Sequence, residues 1–140
     1  MAKVAVVFFS SSGNTEAMAN AIVEGAQAAG ADVSLFTSGE FDASTVTSYD
    51  KIAFGCSAMG AEELDADEFE PMFTEAETKL MGKAIALFGS YGWGDGEWMR
   101  TWQARCIDDG AVLITDPLSI NEMPDEDGLA QCRELGKLLA

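Results

Sequence analysis

The sequence predicts an α/β fold: a doubly wound, five-stranded parallel sheet with helices on both faces, in a single domain over residues 1–140. Three observations lead there. Apolar, β-branched runs alternate with helix-like segments along the whole chain. The strand candidates are nearly continuous apolar runs, the pattern of strands covered on both faces. Loops of unusual composition leave the carboxyl ends of the strands, where open parallel sheets bind ligands. A chain of 140 residues can bury a substantial single core, and no repeat, linker or low-complexity segment divides it.

The elements follow in order. Lys3–Phe9 is a strand. A helix from Thr15 to about Ala29 is expected from Met18, Ile22, Ala26 and Ala29 at helical spacing, with Gly30 as its stop. Asp32–Phe36 is a short strand, Thr37–Gly39 a turn and Ala43–Val46 a helical turn. Lys51–Gly55 is the third strand. An acidic loop, Ser57–Asp67, leads to a helix over Phe69–Leu80 with Pro71 near its start. Lys83–Phe88 is the fourth strand, and Gly89–Gly96 (GSYGWGDG) a glycine-rich loop. The helix Glu97–Asp109 puts Trp98, Trp102 and Cys106 on one face and stops at Gly110. Ala111–Thr115 is the fifth strand, resuming at Leu118–Ile120 after Pro117, and Asp125–Leu139 is the last helix.

Composition excludes several kinds of chemistry. Asp and Glu number 24 against 8 Lys and Arg, a net charge of −16. Such a surface repels nucleic acid and anionic lipid and steers a basic partner inward. With no histidine there is no imidazole base, no Ser-His-Asp triad and no His metal ligand. Cys56, Cys106 and Cys132 are scattered and form no CxxC, which excludes a zinc knuckle or a thioredoxin-type pair and fits reduced thiols. The Val4–Phe9 run is short and no small-residue cleavage site follows it, so no secretory leader is expected, and no apolar run reaches about 20 residues. The expectation is a cytoplasmic protein without membrane or nucleic-acid partners.

The loop after the first strand, Ser10–Thr15, carries the sharpest signal. It precedes a helix, so free backbone N–H groups and the helix dipole favour an anion there. Gly13 lets the backbone approach, and Ser10, Ser12, Asn14 and Thr15 add side-chain donors. One cap residue would satisfy a helix start; this loop offers several oxygens and no Lys or Arg. A nucleotide triphosphatase would need GxxxxGK[ST], which is absent. Trp93 between Gly92 and Gly94, with Tyr91 beside it, is poorly placed for a core and well placed against a planar ligand.

At this point the segments FSSSGNTEAMA, GCSAMGAEELD, LFGSYGWGDGEWM and NEMPD together resemble the flavodoxins, of the short-chain, clostridial kind, from end to end of the chain. The resemblance implies a flavodoxin-like sheet of order 2-1-3-4-5, tightly bound FMN and low-potential one-electron transfer between semiquinone and hydroquinone. It implies a monomer that serves reductase and acceptor proteins with basic surfaces, and no catalytic or metal-ligating residue. By the same resemblance Ser10, Ser12, Gly13, Asn14 and Thr15 bind the phosphate, with Ser57 and Ser90 near it. Met59 and Trp93 sandwich the isoalloxazine, Gly60 and Glu62 meet its N5 and N3 edge, Ala58 and Gly92 approach its pyrimidine side, and Asn121 touches the ribityl chain. Two positions depart from the family pattern: Ser11 replaces a glycine of the phosphate loop, and Ala61 follows Gly60.

The Ala61 departure has a conformational consequence. In a type II turn centred on Gly60 and Ala61, positive φ falls on Ala61, at a cost of about 1–2 kcal/mol for a residue with a Cβ. A type II′ turn places it on Gly60 at little cost. Ala61 is therefore expected to favour the arrangement with the Gly60 carbonyl turned toward the flavin N5. Other classes fit less well. A response-regulator receiver needs acidic residues where Ser10–Ser12 stand and an Asp near Cys56–Ser57; a small phosphatase needs Arg where Glu62 stands. A small FMN-dependent reductase, quinone reductase-like, is the alternative, without an evident acid–base group to support it.

Overall fold

The computed structural model describes residues 2–140. The apolar runs become parallel strands: the most apolar of them, β1 (Lys3–Phe9), β3 (Lys51–Cys56) and β4 (Ala84–Tyr91), have sheet neighbours on both edges, and helices cover both faces. β1 lies between β2 (Asp32–Thr37) and β3, and β3 pairs with β4. With β5 (Val112–Leu113) beyond β4, the order along the sheet is β2-β1-β3-β4-β5.

The fifth strand is split. β5 (Val112–Leu113) and β6 (Leu118–Asn121) both pair with β4, at its start and its end. Pro117 lies in the gap; it has no N–H to give a ladder and cannot sit inside one. β6 also extends β4. Gly89, Ser90 and Tyr91, expected in a loop, pair with Ser119, Ile120 and Asn121. The glycine-rich loop therefore begins at Gly92.

Among the described residues four α-helices cover the sheet: α1 (Asn14–Ala28), α2 (Phe69–Ala76), α3 (Glu97–Asp108) and α4 (Glu126–Leu139). α2 is shorter than its periodicity predicts, because Glu77–Lys79 tightens into a 3-10 turn. The helical turn at Ala43 is likewise 3-10, running from Ala43 to Ser48 with Asp42 as its cap. Asp125 is the cap of α4, accepting from the Gly128 N–H at 2.8 Å, rather than its first residue.

The period-two alternation of β1 divides the core. Val4, Val6 and Phe8 pack with Met18 and Ile22 of α1 and Cys132 and Leu135 of α4. Ala5 and Val7 face the other way, toward Phe69 and Phe73 of α2 and Trp98 and Trp102 of α3. On the first face the helix backbones touch: a Cβ on Gly25 would meet the Arg133 carbonyl, and one on Gly136 the Ile22 carbonyl. No described helix is long and apolar enough to cross a membrane.

Candidate functional site

The loops that leave β1, β3, β4 and β6 meet at one end of the sheet around a hollow of about 240 Å³. The first loop contributes Ser11, Ser12 and Asn14; the second Ser57 and Ala58; the third Ser90, Tyr91, Gly92 and Trp93; β6 is followed by Glu122. No Lys or Arg lines it among the described residues.

The start of α1 divides its polar groups between structure and site. The Ser10 hydroxyl accepts from the Gly13 N–H at 3.0 Å and the Glu16 N–H at 3.1 Å, so Ser10 does the work of a helix cap. The N–H groups of Ser11, Ser12, Asn14 and Thr15 take no acceptor from the described residues. Unclaimed donors at a helix N-terminus, beside three serine hydroxyls and an asparagine, suit an oxyanion. Ser11 keeps a negative φ, since among non-glycine residues only Glu62 and Glu122 have positive values. The Cβ that distinguishes Ser11 from glycine is thus accommodated without backbone strain.

Behind the hollow, buried hydroxyls join the strand ends. Thr15 Oγ1 lies 2.8 Å from Ser57 Oγ and accepts from the Ser90 N–H at 3.2 Å. The Ser90 hydroxyl donates to the Glu122 carbonyl at 2.7 Å. Thr15 is fully buried and does not line the hollow. The Glu122 N–H donates to the Tyr91 carbonyl at 2.7 Å, and the Asn121 side-chain amide to the same oxygen at 3.2 Å. These bonds hold Glu122 at φ 60° on the rim.

The second loop folds into a tight hairpin. Met59 and Glu63 exchange both backbone hydrogen bonds at 2.8 Å, leaving Gly60, Ala61 and Glu62 as the loop. Positive φ falls on Gly60 (50°) and Glu62 (56°), not on Ala61. Glu62 Oε1 accepts from the Gly96 N–H at 3.2 Å, tying this hairpin to the third loop. Trp93 stands at the mouth of the hollow, 66% exposed, while Tyr91 packs against the buried Trp98. The Trp98 indole N–H donates to the Cys56 carbonyl at 3.1 Å, locking α3 to the end of β3. Burial pushes the Cys56 thiol up to about 12, so it stays an unreactive thiol near the site.

Of the residues singled out from the sequence, Ser12, Asn14, Ser57, Ala58, Ser90, Tyr91, Gly92 and Trp93 line the hollow. Ser10, Gly13 and Thr15 support it from the start of α1; Met59, Gly60, Glu62 and Gly94 lie on the adjoining loops and Asn121 at the end of β6, outside the lining. Ser11 and Glu122 line it and were not among the expected ligands. The position of Ser11 inside the loop was a usable signal, as was that of Glu122 in the NEMPD segment after the last strand; its left-handed backbone, φ 60°, was not legible there.

The family profile described as Flavodoxin matches residues 6–136. The chain belongs to the flavodoxin family. It is 48% identical over 137 residues to the flavodoxin of Megasphaera elsdenii, covering 98% of each chain, and 43% identical over 135 residues to that of Clostridium beijerinckii, covering 96% and 97%. The solution structure of two-electron reduced Megasphaera elsdenii flavodoxin superposes with a TM-score of 0.88 at 47% identity, covering 97% of each chain. A flavodoxin from the domain Archaea gives 0.84 at 30% identity, covering 99% of this chain and 96% of that one. Flavodoxins bind FMN and carry electrons between redox partners; like them, this chain is an electron-transfer flavoprotein rather than an enzyme. The unclaimed N–H groups and hydroxyls of the hollow fit the phosphate of FMN, and the exposed Trp93 offers its ring a flat apolar surface.

Proposed function

We propose that the chain is a low-potential one-electron carrier, a monomeric cytoplasmic protein of one flavodoxin-like domain over residues 1–140 that exchanges electrons with basic-surfaced reductases and acceptors. FMN supplies the redox chemistry, cycling between its one-electron and two-electron reduced forms; the protein sets how readily it does so.

The observation that carries this reading is the anion site without a cation. Ser11, Ser12, Asn14 and Thr15 present unclaimed N–H groups, and no Lys or Arg lines the hollow. A phosphate held there by dipoles keeps its negative charge, and the whole chain adds −16. Both raise the cost of a further negative charge nearby, which lowers the potential of the second electron. In this reading Ser12, Asn14 and Ser57 hold the phosphate directly. Ser10, Gly13 and Thr15 shape the loop, with Ser90 bracing it from β4. Trp93 and Met59 cover the ring faces, Tyr91 and Gly94 frame the Trp93 loop, and Ala58, Gly60, Glu62, Gly92 and Asn121 meet the ring edge and the ribityl chain.

Anaerobic reduction followed by visible absorption is the test. A yellow protein that turns blue at one electron per flavin and bleaches at two supports the reading; bleaching without the blue stage overturns it. Ala61 supplies a finer check. The turn is a three-residue loop with positive φ on Gly60 and Glu62, not the two-residue type II′ turn expected, so the bias rests on Ala61 itself being spared positive φ. Ala61→Gly removes the bias and is expected to lower the first-electron potential, read by spectroelectrochemistry; an unchanged or higher value rejects the bias.

A further inference from the structure

Trp98 and Trp102 stand one turn apart on α3, and their indole N–H groups fare differently. That of Trp98 donates to the Cys56 carbonyl at 3.1 Å. Trp102 is only 1% exposed, and its N–H has no acceptor among the described residues. A buried indole N–H ordinarily finds a partner, and a buried donor left without one costs about 1–3 kcal/mol. Ser38 Oγ and Asp109 Oδ2 are also buried without partners. Trp102 differs in its surroundings, because it lines a cleft of about 320 Å³ with Leu64 and Ala66 of the second loop and Trp98 and Thr101 of α3. Small-molecule sites begin at about 300 Å³. The lining is mostly apolar, and the charges on it are settled. Arg105 donates to both Glu70 oxygens at 2.8 and 2.9 Å and to both Glu77 oxygens at 2.9 and 2.6 Å. Glu62 accepts from the Gly96 N–H at 3.2 Å and belongs to the cofactor edge in the reading above. Glu63 is exposed and stays in water. What is left unmet is one hydrogen-bond donor beside an apolar surface.

We propose that this cleft is a second binding site, for a small uncharged planar ring bearing a carbonyl oxygen that accepts from the Trp102 N–H. Each attribute answers a feature of the cleft. The two indoles and Leu64 offer apolar area to a flat ring. The carbonyl meets the donor that the fold leaves without a partner. An anion would face Glu62, Glu63 and Glu70 with the Arg105 guanidinium already spent, and a cation would find Glu70 already paired. The cleft and the hollow have no lining residue in common, so both can be filled at once. The inference goes beyond the carrier reading and stands without it.

The probe is indanone, an uncharged two-ring ketone, titrated into the ¹⁵N-labelled, FMN-loaded protein and followed by the indole N–H resonances. Indane has the same rings without the oxygen, and indane carboxylate adds a negative charge. The Trp102 indole proton should move downfield as indanone is added, and further than that of Trp98, which is already bonded. Indane should bind about tenfold more weakly than indanone, and the carboxylate more weakly still. Trp102→Phe keeps a flat ring and removes the donor, so it should weaken indanone about tenfold and leave indane unchanged. Thr101→Trp fills the cleft from an exposed position and leaves the core alone; it should abolish the shift while the flavin absorption stays as it was. A Trp102 proton that ignores indanone, because a water or the Phe69 ring already accepts from it, overturns the site. Equal binding of indanone and indane does the same, as does an indanone shift that survives Thr101→Trp.

Discussion

The two faces of the sheet are built on opposite principles. On one, α1 and α4 meet at Gly25 and Gly136, with Ala19, Ala21 and Ala26 nearby, and the helix backbones are in contact. On the other, α2 and α3 are held apart by rings. Phe54 meets Phe73 edge-on at 5.2 Å, and Trp102 meets Phe69 and Phe73 edge-on at 5.3 and 5.7 Å. Arg105 lies over Phe73 at 5.0 Å and ties α3 to α2 through Glu70 and Glu77. The close contact runs between α1 and α4; at the far side of α4 a concavity of about 360 Å³ remains beside Leu118, Leu135 and Leu138. The contact fixes α1, whose N-terminus carries the anion site. The second face is bulky and less regular, and the cleft lies there, beside the turns that adjoin the hollow. The lesson is a division of labour: close backbone contact anchors the phosphate end, while aromatic packing supports loops that must accommodate a ring and a partner.

The largest test of this contrast is a deletion on the aromatic face. Phe73→Ala should cost about 3–5 kcal/mol, because it removes a buried ring and leaves a cavity. Urea denaturation of the FMN-free protein measures it, and a loss below about 1 kcal/mol would show that the ring cluster closes over the gap. The complementary change on the other face is an insertion. Gly136→Ala should destabilise by about 1–3 kcal/mol through overpacking. Alanine is otherwise the better helix former by about 1 kcal/mol. A neutral or stabilising outcome would mean that α1 and α4 can separate freely.

The smallest effect is a change of slope with pH. Burial and the neighbouring Glu77 carboxylate raise Asp109 to about 6, while the Arg105 guanidinium holds Glu77 below its usual range. A carboxyl raised in the folded state contributes stability that is present below its unfolded value, near 4, and is lost as pH rises through its folded one. Glu77 has the opposite sign, its contribution being lost as pH falls below about 4. Stability should therefore rise from pH 7 to pH 5 and decline under stronger acid. In Asp109→Asn the rise should be smaller, as read from urea midpoints across that range; an unchanged slope would separate Asp109 from the α2–α3 contact.

Much of this was legible in the chain. The continuous apolar strands and their alternation with helices required a sheet covered on both sides. The cluster of Ser, Gly, Asn and Thr after β1 pointed to the loop whose N–H groups stay unclaimed, and Trp93 between glycines to an exposed ring at the mouth of the hollow. Other features depend on neighbours distant in sequence. Gly89–Tyr91 looked like loop and are strand, because β6 supplies the partner that their own composition does not announce. The Thr15 side chain is buried against Ser57 and the Ser90 N–H, which leaves its backbone N–H as the group it offers at the start of α1. Glu62 reaches Gly96, and Glu122 turns onto the rim only through a left-handed backbone pinned by Ser90 and Tyr91.

By itself the sequence determined the class of fold, the end of the sheet where the polar and glycine-rich loops gather, and the sign of the net charge. Those properties follow from local periodicity, from glycine and hydroxyl side chains beside a helix start, and from a sum over ionisable groups. The tertiary structure alone decided which hydroxyls face the hollow and which brace it, where Arg105 is spent, and that a cleft adjoins the Gly60–Glu62 turn. The physical reason is that a side chain's reach is local, while its partners arrive through crossovers whose register only the packed sheet sets.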